Sequence, residues 1–430
     1  MVAIVKYIIL GVLVSCYYFS FSFTFLPPGI NTKLILAVLG AVLVGIHLVL
    51  KQNVYMDKGL LGALFFALLF SLVCFIAVDY NHTTDYAYAT YIVSFFVWIL
   101  ASYCVCVAIR WGHGVVNFRL LTYYLTAVCV IQCALALAID SLPGVQALVN
   151  TYVEQDQKFL MKVKRLYGIG ASLDNAGVRF SVVLVMIAVL LVKDDIVRKS
   201  FFKFTCLLIG FFAIAILGNV ISRTTSLGGL IGLVYMFFNL GLFSFVLKER
   251  NIKTYTALIT IMVVAFYIGL YFYHRSEDFH RQIRFGFEGF FNWVEKGEWR
   301  TDSTDKLNKT MWIWPQDTKT WIIGAGLFDN WAFNTDIGYC RFILYSGLMG
   351  FAVFASFFIY NATVFSIKYR DYQHLFILFS ILTFTTWLKV STDIFLIYAL
   401  FYNMDILTKG EAFSTNDDND EDRLLYSRNF

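Results

Sequence analysis

Arg223 is the residue whose position in this sequence points most directly to chemistry. It lies between two long apolar stretches, residues 204–220 and residues 227–246. A guanidinium group beside hydrocarbon on both sides is energetically costly unless water or an anion meets it. The sequence therefore predicts that Arg223 belongs to a binding site, and that the ligand of this site is an anion.

A carboxylate and an arginine open a later apolar run. Asp336 precedes the run and Arg341 lies about one and a half helical turns inside it. Asp336 is a candidate base for a substrate hydroxyl, or it simply favours the positive end of a helix dipole. Arg341 is a candidate substrate contact, or it anchors the helix at the membrane surface. The residues alone leave both alternatives open.

The segment between these two sites is too long and too aromatic to be a passive connection. It contains a predicted amphipathic helix that caps a bundle, lies along a membrane surface, or is an ordinary packed loop helix. Arg281 and Arg284 lie on the charged face of this helix, and Arg300 follows it. All three are candidates for binding a negatively charged substrate. The apolar face of the helix consists of Phe279, Ile283, Phe287, Phe290, Phe291 and Val294.

Further charged positions lie in or beside the apolar runs. Arg179 lies just inside such a run and is another candidate substrate contact. Lys389 and Asp393 lie close together near the C-terminal end, where an ion pair within the membrane is favoured over contact with a glycan. A basic cluster on an earlier connection either attracts an acidic ligand or is a solvated helix face, which is the commoner case. The members of that cluster are Lys158, Lys162, Lys164 and Arg165.

The composition requires a membrane protein. The 430 residues are 59% hydrophobic, 18% aromatic and only 15% charged, so the chain cannot build the polar surface of a soluble globule. A helix crosses a bilayer core of about 30 Å with roughly 20 apolar residues. The runs predict an all-α polytopic bundle of about twelve spans. These spans are residues 4–25, 34–50, 60–78, 88–109, 120–139, 176–192, 204–220, 226–246, 255–273, 337–367, 375–388 and 394–407.

Basic residues fall on alternate connections between these spans. Examples are Lys51 with Lys58, Arg110 with Arg119, and Lys368 with Arg370. The positive-inside rule places these connections and both termini in the cytoplasm, and Arg223 on the opposite side. The expected organisation is spans one to nine in residues 1–273, an extracytoplasmic loop carrying part of the site in 274–336, spans ten to twelve in 337–408, and a disordered cytoplasmic tail in 409–430.

Several classes of function are disfavoured by the residues. The sequence has no GxxxxGK[ST] loop and no HExxH helix, and no connection is long enough for a soluble nucleotide-sugar domain. The cysteines lie almost entirely inside apolar runs, where small buried hydrophobes are a better explanation than zinc ligands. Basic loops account for much of the net charge of +5, so nucleic acid is not implied. We expect no metal and no cofactor.

The order of these motifs resembles the superfamily of O-antigen ligases and polysaccharide polymerases. The resemblance rests on Ser222-Arg223 before a Gly/Leu-rich helix, on Arg300 ahead of Ile323-Gly324-Ala325-Gly326, and on the segment from Thr335 to Gly350. The last segment is most similar to the repeat-unit polymerase branch for O-antigen or capsule. The ligase branch carries His-Asn where the outer loop meets the next span, whereas this chain reads Asn334-Thr335-Asp336.

The resemblance implies a metal-independent, inverting glycosyl transfer at the outer face of a bacterial inner membrane. The substrate would be an oligosaccharide on undecaprenyl diphosphate, with membrane lipids around it and a chain-length regulator as a possible protein partner. Arg223 and Arg300 would bind the diphosphate, with Arg341 as a third candidate and Asp336 as the base. Guanidinium groups suit this role because they stay protonated and offer a planar fork to phosphate oxygens.

Two other functions stay open. One is an O-antigen ligase that transfers the glycan to lipid A core, and the other is a flippase or transporter for a lipid-linked oligosaccharide. A transporter is expected to place charged groups near mid-membrane on two repeated halves. In this sequence the first five predicted spans are almost free of ionisable residues, and no internal repeat is visible. A purely structural scaffold is disfavoured by Arg223.

Overall fold

The computed structural model describes residues 2–51, 57–155, 160, 165–239, 276–328 and 332–416, together with residues 256, 259, 260, 263, 264, 267, 269–271 and 273–275. The described residues form an all-α fold, which agrees with the prediction. One small antiparallel sheet joins strands β1 (Ser22–Phe23) and β2 (Val153–Glu154).

In the described part of the chain, the helices follow one another in this order. The first ten are α1 (Val2–Tyr18), α2 (Thr32–Lys51), α3 (Lys58–Tyr80), α4 (Tyr91–His113), α5 (Phe118–Ser141), α6 (Pro143–Tyr152), α7 (Leu173–Lys193), α8 (Asp195–Lys199), α9 (Phe201–Ile221) and α10 (Thr225–Asn239). The others are α11 (Glu277–Gly286), α12 (Glu288–Lys296), α13 (Asp302–Thr310), α14 (Thr318–Ile322), α15 (Gly338–Lys368), α16 (Gln373–Thr386) and α17 (Phe395–Asn416), with a 3-10 turn at Arg370–Tyr372.

Several of these helices have the length and apolarity of membrane spans. Within the described residues there are 7 of them, namely α2, α3, α4, α5, α7, α9 and α15, and α1, α10 and α17 contain shorter apolar helices. The chain is therefore a multi-pass α-helical membrane protein. Of the predicted ninth span, residues 255–273, the structure describes residues 256, 259, 260, 263, 264, 267, 269–271 and 273, and these are helical. The predicted eleventh span corresponds to α16, whose 14 residues are too few to cross a bilayer core alone.

Helix α7 occupies the centre of the bundle. It packs against α5, α9, α10 and α16, and nearly all of its residues from Ala176 to Val192 are buried. Two glycines allow this close packing. A Cβ atom at Gly177 would lie 2.5 Å from the Ser222 hydroxyl, and one at Gly228 would lie 2.2 Å from the Ser181 Cα. The turn between α9 and α10, which carries Arg223, is therefore held directly against the start of α7.

Helix α15 is broken at Gly347, where φ is 65° and ψ is −175°. The break frees carbonyl groups of the preceding turn, and the segment around Gly324 and Gly326 docks on them. Ala325 N–H donates to Leu344 O at 2.7 Å and Gly326 N–H donates to Tyr345 O at 3.0 Å. The glycines therefore lie where this segment makes a backbone-to-backbone contact with α15.

Basic connections gather at one end of the bundle, which we call the basic end. Lys368 pairs with Asp57 at 3.0 Å and with Asp405 at 2.5 Å. At the same end, the Arg110 guanidinium donates to Leu407 O at 3.2 Å, and Arg119 pairs with Asp194 at 3.2 Å. Residues from four of the predicted cytoplasmic connections thus lie together. The opposite end, which carries residues 276–328, is called the loop end.

The C-terminal helix α17 continues to Asn416, so its last turns extend into the segment that was expected to be disordered from residue 409. The remainder of that predicted tail, residues 417–430, lies outside the described residues.

Candidate functional site

Arg223 lies at the loop end, in the turn between α9 and α10, and joins the bundle to the outer segment. Its Nη2 is 2.5 Å from Glu288 Oε2. Its Nε donates to Phe285 O at 3.0 Å, and its Nη1 donates to Ser303 Oγ at 3.2 Å. The Arg223 side chain is 16% exposed. The Arg223 guanidinium therefore pairs with one carboxylate and donates hydrogen bonds to two neutral acceptors. All three partners belong to the segment that follows the predicted ninth span.

The predicted amphipathic helix is two helices, α11 and α12, and this break brings Glu288 to Arg223. The backbone at Phe287 leaves helical geometry, with φ −112° and ψ 29°. Helix α11 is held against the bundle because Asn219 Nδ2 donates to Gly286 O at 2.7 Å. A continuous helix would have kept Glu288 on the solvent face with Arg281 and Arg284. Glu288 also accepts a hydrogen bond from Asp302 N–H at 2.8 Å.

Arg165 is a second arginine at the same place. The guanidinium carbons of Arg165 and Arg223 lie 5.1 Å and 4.2 Å from the centre of the Phe285 ring. Burial lowers the pKa of the Arg165 guanidinium, the charge of Arg223 acts in the same direction, and Asp174 acts against it. Sequence reasoning treated Arg165 as part of a solvated basic cluster. The other members, Lys158, Lys162 and Lys164, lie outside the described residues.

Asp174, in the first turn of α7, connects Arg223's turn to Lys389. Asp174 Oδ1 accepts hydrogen bonds from Ser222 Oγ at 3.1 Å and from Thr224 Oγ1 at 2.6 Å. Lys389 Nζ lies 3.1 Å from the same oxygen and 3.0 Å from Thr224 Oγ1. The expected ion pair of Lys389 with Asp393 is therefore wrong. The segment between α16 and α17 is not helical, so these two residues do not share a helix face.

Asp336 lies just before α15, half-buried, beside the Lys389 segment. Helix α15 begins against that segment, since Tyr339 N–H donates to Trp387 O at 3.2 Å. Burial raises the pKa of the Asp336 carboxyl above its ordinary value, and the negative charge of Asp174 acts in the same direction. Positive charges nearby act against this rise without reversing it; they belong to Arg341, Lys306 and Lys389. Asp336 therefore shares an electrostatic environment with Asp174, Lys389 and Arg341.

Arg341 points into the site from the first turns of α15. Its Nη2 donates to Phe328 O at 2.6 Å, its Nη1 donates to Ser391 Oγ at 3.1 Å, and its guanidinium lies 3.9 Å from the centre of the Phe328 ring. Phe328 is itself fixed, because its N–H donates to Asp85 Oδ2 at 2.5 Å. Arg341 is half-buried, and its guanidinium contacts protein groups of the loop end. It lines a recess with Leu327, Phe328, Ala332, Phe333, Asn334 and Thr335.

Arg179 lies deeper in α7, among aromatic side chains. Its guanidinium carbon is 5.7 Å from the centre of the Phe19 ring. Asp393 is within electrostatic range of Arg179 and of Lys33 at the start of α2. Burial raises the pKa of Asp393, and the two cations oppose that rise. These three residues form a second charged group, which the same extended segment joins to Lys389.

The side chains of three predicted arginines, Arg300, Arg284 and Arg281, lie outside this cluster. Arg300 is 52% exposed and pairs with Glu298 at 3.0 Å and with Asp305. Its ion pairs therefore stay within its own loop, although the neighbouring Ser303 reaches Arg223. Arg284 pairs with Glu295 at 2.7 Å, and Arg281 is exposed on α11.

No known protein family, curated protein or solved structure matches the chain.

The arrangement is suited to binding an anion beside a proton acceptor. Four cations, Arg165, Arg223, Arg341 and Lys389, converge with the carboxylates of Asp174, Glu288 and Asp336. In the part of the chain that the structure describes, no group of three His, Cys, Asp or Glu side chains could hold a metal ion. Guanidinium and ammonium groups held in a partly dry site stabilise developing negative charge.

Proposed function

We propose that this protein is a polysaccharide polymerase. It joins oligosaccharide repeat units carried on undecaprenyl diphosphate, by metal-independent and inverting glycosyl transfer. The observation that supports this best is a connected group of charged residues at one end of a membrane bundle. Arg165 and Arg223 share the Phe285 ring, and Asp174 joins the turn of Arg223 to Lys389. Lys389 and Arg341 lie within electrostatic range of Asp336. A lipid diphosphate carries its charge at the membrane surface, which is where such a group of cations can meet it.

The proposed reaction exchanges one bond for another at a sugar carbon. A hydroxyl oxygen of the acceptor sugar attacks the anomeric carbon of the donor while the bond from that carbon to the diphosphate oxygen breaks. The electron pair leaves with the diphosphate, and Asp336 accepts the proton of the attacking hydroxyl. The raised pKa of Asp336 suits a base, because a carboxylate with a higher pKa holds a proton more firmly.

The cations have distinct proposed roles. Arg165 and Arg223 bind the leaving diphosphate. Lys389 and Arg341 stabilise the negative charge that is present near Asp336. Arg223 already contacts Glu288, Phe285 and Ser303, so the diphosphate would bind the two remaining N–H donors of its guanidinium or replace Glu288 at Nη2. Arg300, Arg281 and Arg284 would act as outer contacts of the approaching substrate, and Arg300 in particular fixes the loop that carries Ser303.

The proposed setting is the bacterial inner membrane. The basic end would face the cytoplasm with both termini, and the loop end would face the opposite side, as the positive-inside rule favours. The partners would be the lipid-linked oligosaccharide, the surrounding membrane lipids and a regulator of chain length. No cofactor is required by this reaction.

The proposal is tested by giving purified, reconstituted protein a single defined undecaprenyl-diphosphate oligosaccharide. We expect a ladder of products on electrophoresis, which Arg223→Lys and Asp336→Asn abolish. The Arg300→Lys ladder is expected to be weaker but present, because Arg300 pairs outside the cluster. Transfer to added lipid A core without a ladder would select the ligase. Movement of the intact substrate across vesicles without new glycosidic bonds would select a flippase.

A further inference from the structure

Arg179 is a deeply placed guanidinium without an acceptor in the described residues. Its neighbours among the described residues are aromatic: Phe19 lies under the guanidinium, and the Tyr18 hydroxyl donates to the Arg179 backbone carbonyl at 2.8 Å. No described residue makes a side-chain hydrogen bond or ion pair with it. A guanidinium carries five N–H donors, and the half-buried side chain of Arg179 can offer them to an anion.

Lys33 faces the same place from the start of α2. Its Nζ lies 4.4 Å from the centre of the Trp98 ring, and it too has no ion pair or side-chain hydrogen bond with a described residue. The positive charges of Lys33 and Arg179 both act on the Asp393 carboxyl. In the described part of the chain, neither cation lies within ion-pair distance of it. Asp393 Oδ1 instead accepts from Phe395 N–H at 2.9 Å. Lys33 and Arg179 therefore lie near the Asp393 carboxyl, but neither of them forms an ion pair with it.

This second charged group is distinct from the Arg223 site. Arg179 and Asp174 lie on the same helix, five residues apart. At 1.5 Å and 100° per residue, this spacing separates them by about 7.5 Å along the axis and about 140° around it. Asp174 faces Ser222, Thr224 and Lys389, whereas Arg179 faces the Phe19 ring at the end of α1.

We propose that Lys33 and Arg179 form a second diphosphate subsite, which holds the acceptor carrier while the donor diphosphate occupies the Arg165 and Arg223 site. The identity of this ligand rests on the proposed polymerase function, in which two lipid-linked chains must be bound at once. The segment between α16 and α17 lies at both subsites, since Lys389 contacts Asp174 and Asp393 lies near Arg179. This segment therefore joins the two subsites.

A diphosphate fits this group better than a neutral sugar does. An arginine fork and a lysine ammonium offer charge-assisted hydrogen bonds to phosphate oxygens. The aromatic floor of Trp98 and Phe19 holds the two cations in place without using their hydrogen-bond donors. A neutral glycan would leave both charges uncompensated.

The test counts diphosphate sites in purified protein by isothermal titration with farnesyl diphosphate, a short polyprenyl diphosphate. Wild type is expected to bind two equivalents per chain. Arg179→Gln and Lys33→Gln are each expected to weaken one of the two by about tenfold or more, as the loss of a hydrogen bond to a charged group does. Lys319→Gln is the matched control, because Lys319 is an exposed lysine at the loop end that contacts the Tyr80 ring.

The outcomes separate this inference from the polymerase proposal. A single equivalent in wild type, or two equivalents unchanged in both variants, would overturn the second subsite even if a ladder forms. Loss of one equivalent in both variants would support it even if no ladder forms. Inorganic pyrophosphate binding equally well at the Lys33 and Arg179 subsite would overturn its assignment to a lipid carrier. An unfolding temperature of Arg179→Gln at or above that of wild type would support a binding role, because removing an unmet charge does not destabilise the fold.

Discussion

Arg223 and Glu288 form an ion pair, with 2.5 Å between Nη2 and Oε2, that ties the membrane bundle to the segment following the predicted ninth span. The pair is mostly buried, at 16% and 20% side-chain exposure, so it is screened less than a surface pair. Glu288 already supplies a negative charge at Arg223, so an incoming anion competes with Glu288 for the positive charge of the guanidinium.

The first prediction concerns this competition. Glu288→Gln removes the charge but keeps an amide oxygen that can still accept from Asp302 N–H, so the loop stays in place. We expect diphosphate to bind about fivefold more tightly, which corresponds to about 1 kcal/mol for a lost competing ion pair. Titration with farnesyl diphosphate measures this, with Glu298→Gln as an exposed control. Weaker binding in Glu288→Gln would show that the carboxylate supports the site.

The second prediction concerns the link between α7 and the segment before α17. Asp174→Ala leaves Lys389 without its carboxylate and the hydroxyls of Ser222 and Thr224 without their acceptor, so we expect a loss of about 2 kcal/mol in unfolding free energy. A double-mutant cycle with Lys389→Ala should give a coupling of about 1 kcal/mol. Asp140→Ala, which loses only an exposed bond from Gln282, should change stability by less than about 0.5 kcal/mol. Additive effects at Asp174 and Lys389 would contradict the contact.

The third prediction concerns the pH dependence of glycosyl transfer. Asp336 must be ionised to accept a proton, and burial raises its pKa. The rate should therefore rise with pH through a midpoint above about 3.9, the value of an ordinary aspartate. Asp336→Glu should keep a shifted acid limb, whereas Asp336→Asn should remove activity at every pH. An acid limb unchanged in Asp336→Glu would assign the base to another group.

The fourth prediction concerns stability and has the opposite sign to the effect on activity. A carboxyl group whose pKa is raised in the folded state favours the folded protein when protonated, and this contribution is lost as pH rises through the unfolded and folded pKa values. At neutral pH the ionised Asp336 therefore costs stability. Asp336→Asn should raise the unfolding temperature at neutral pH and have little effect at acidic pH. A lower unfolding temperature at neutral pH would contradict the direction of the shift.

The positions of Arg223, Asp336 and Arg341 were predictable because each interrupts an apolar pattern, and a charge in such a place has few explanations. Their partners were not predictable. Glu288 reaches Arg223 only because the helix breaks at Phe287. Gly286 and Gly289 flank this break, but a glycine inside an amphipathic pattern does not by itself end a helix. Arg165 meets Arg223 through the ring of Phe285, and a contact across more than fifty residues leaves no local signal.

The contacts of Lys389 and Arg300 also differ from those expected. Lys389 and Asp393 were expected to pair because they lie close together in the sequence, but the segment that carries them is not helical, and Lys389 pairs with Asp174. Arg300 was expected at the diphosphate, yet Glu298 and Asp305 lie two and five residues away and pair with it. In contrast, the apolar runs located most described helices well, because a span has to be long and apolar wherever it packs.

The fifth prediction concerns the break in α15. A Cβ atom at Gly347 would lie 2.1 Å from Ile322 O, and its φ of +65° disfavours a side chain. Gly347→Ala should cost more than about 2 kcal/mol in unfolding free energy and should weaken activity, because the docked segment leads to Phe328 under Arg341. Gly11→Ala is the control, since nothing lies within 4 Å of its Cβ position. Equal stability of the two variants would contradict the docking.

The central claim is that cations at the loop end take up the charge of a departing lipid diphosphate, and its most direct test is the stoichiometry of that departure. Reconstituted protein with a defined undecaprenyl-diphosphate repeat unit is followed by phosphorus NMR in the presence of a metal chelator. The account predicts one undecaprenyl diphosphate released for each glycosidic bond formed, and release at least tenfold slower in Arg223→Lys, about 1.4 kcal/mol in the barrier. New glycosidic bonds without released diphosphate, or release at the wild-type rate in Arg223→Lys, would contradict it.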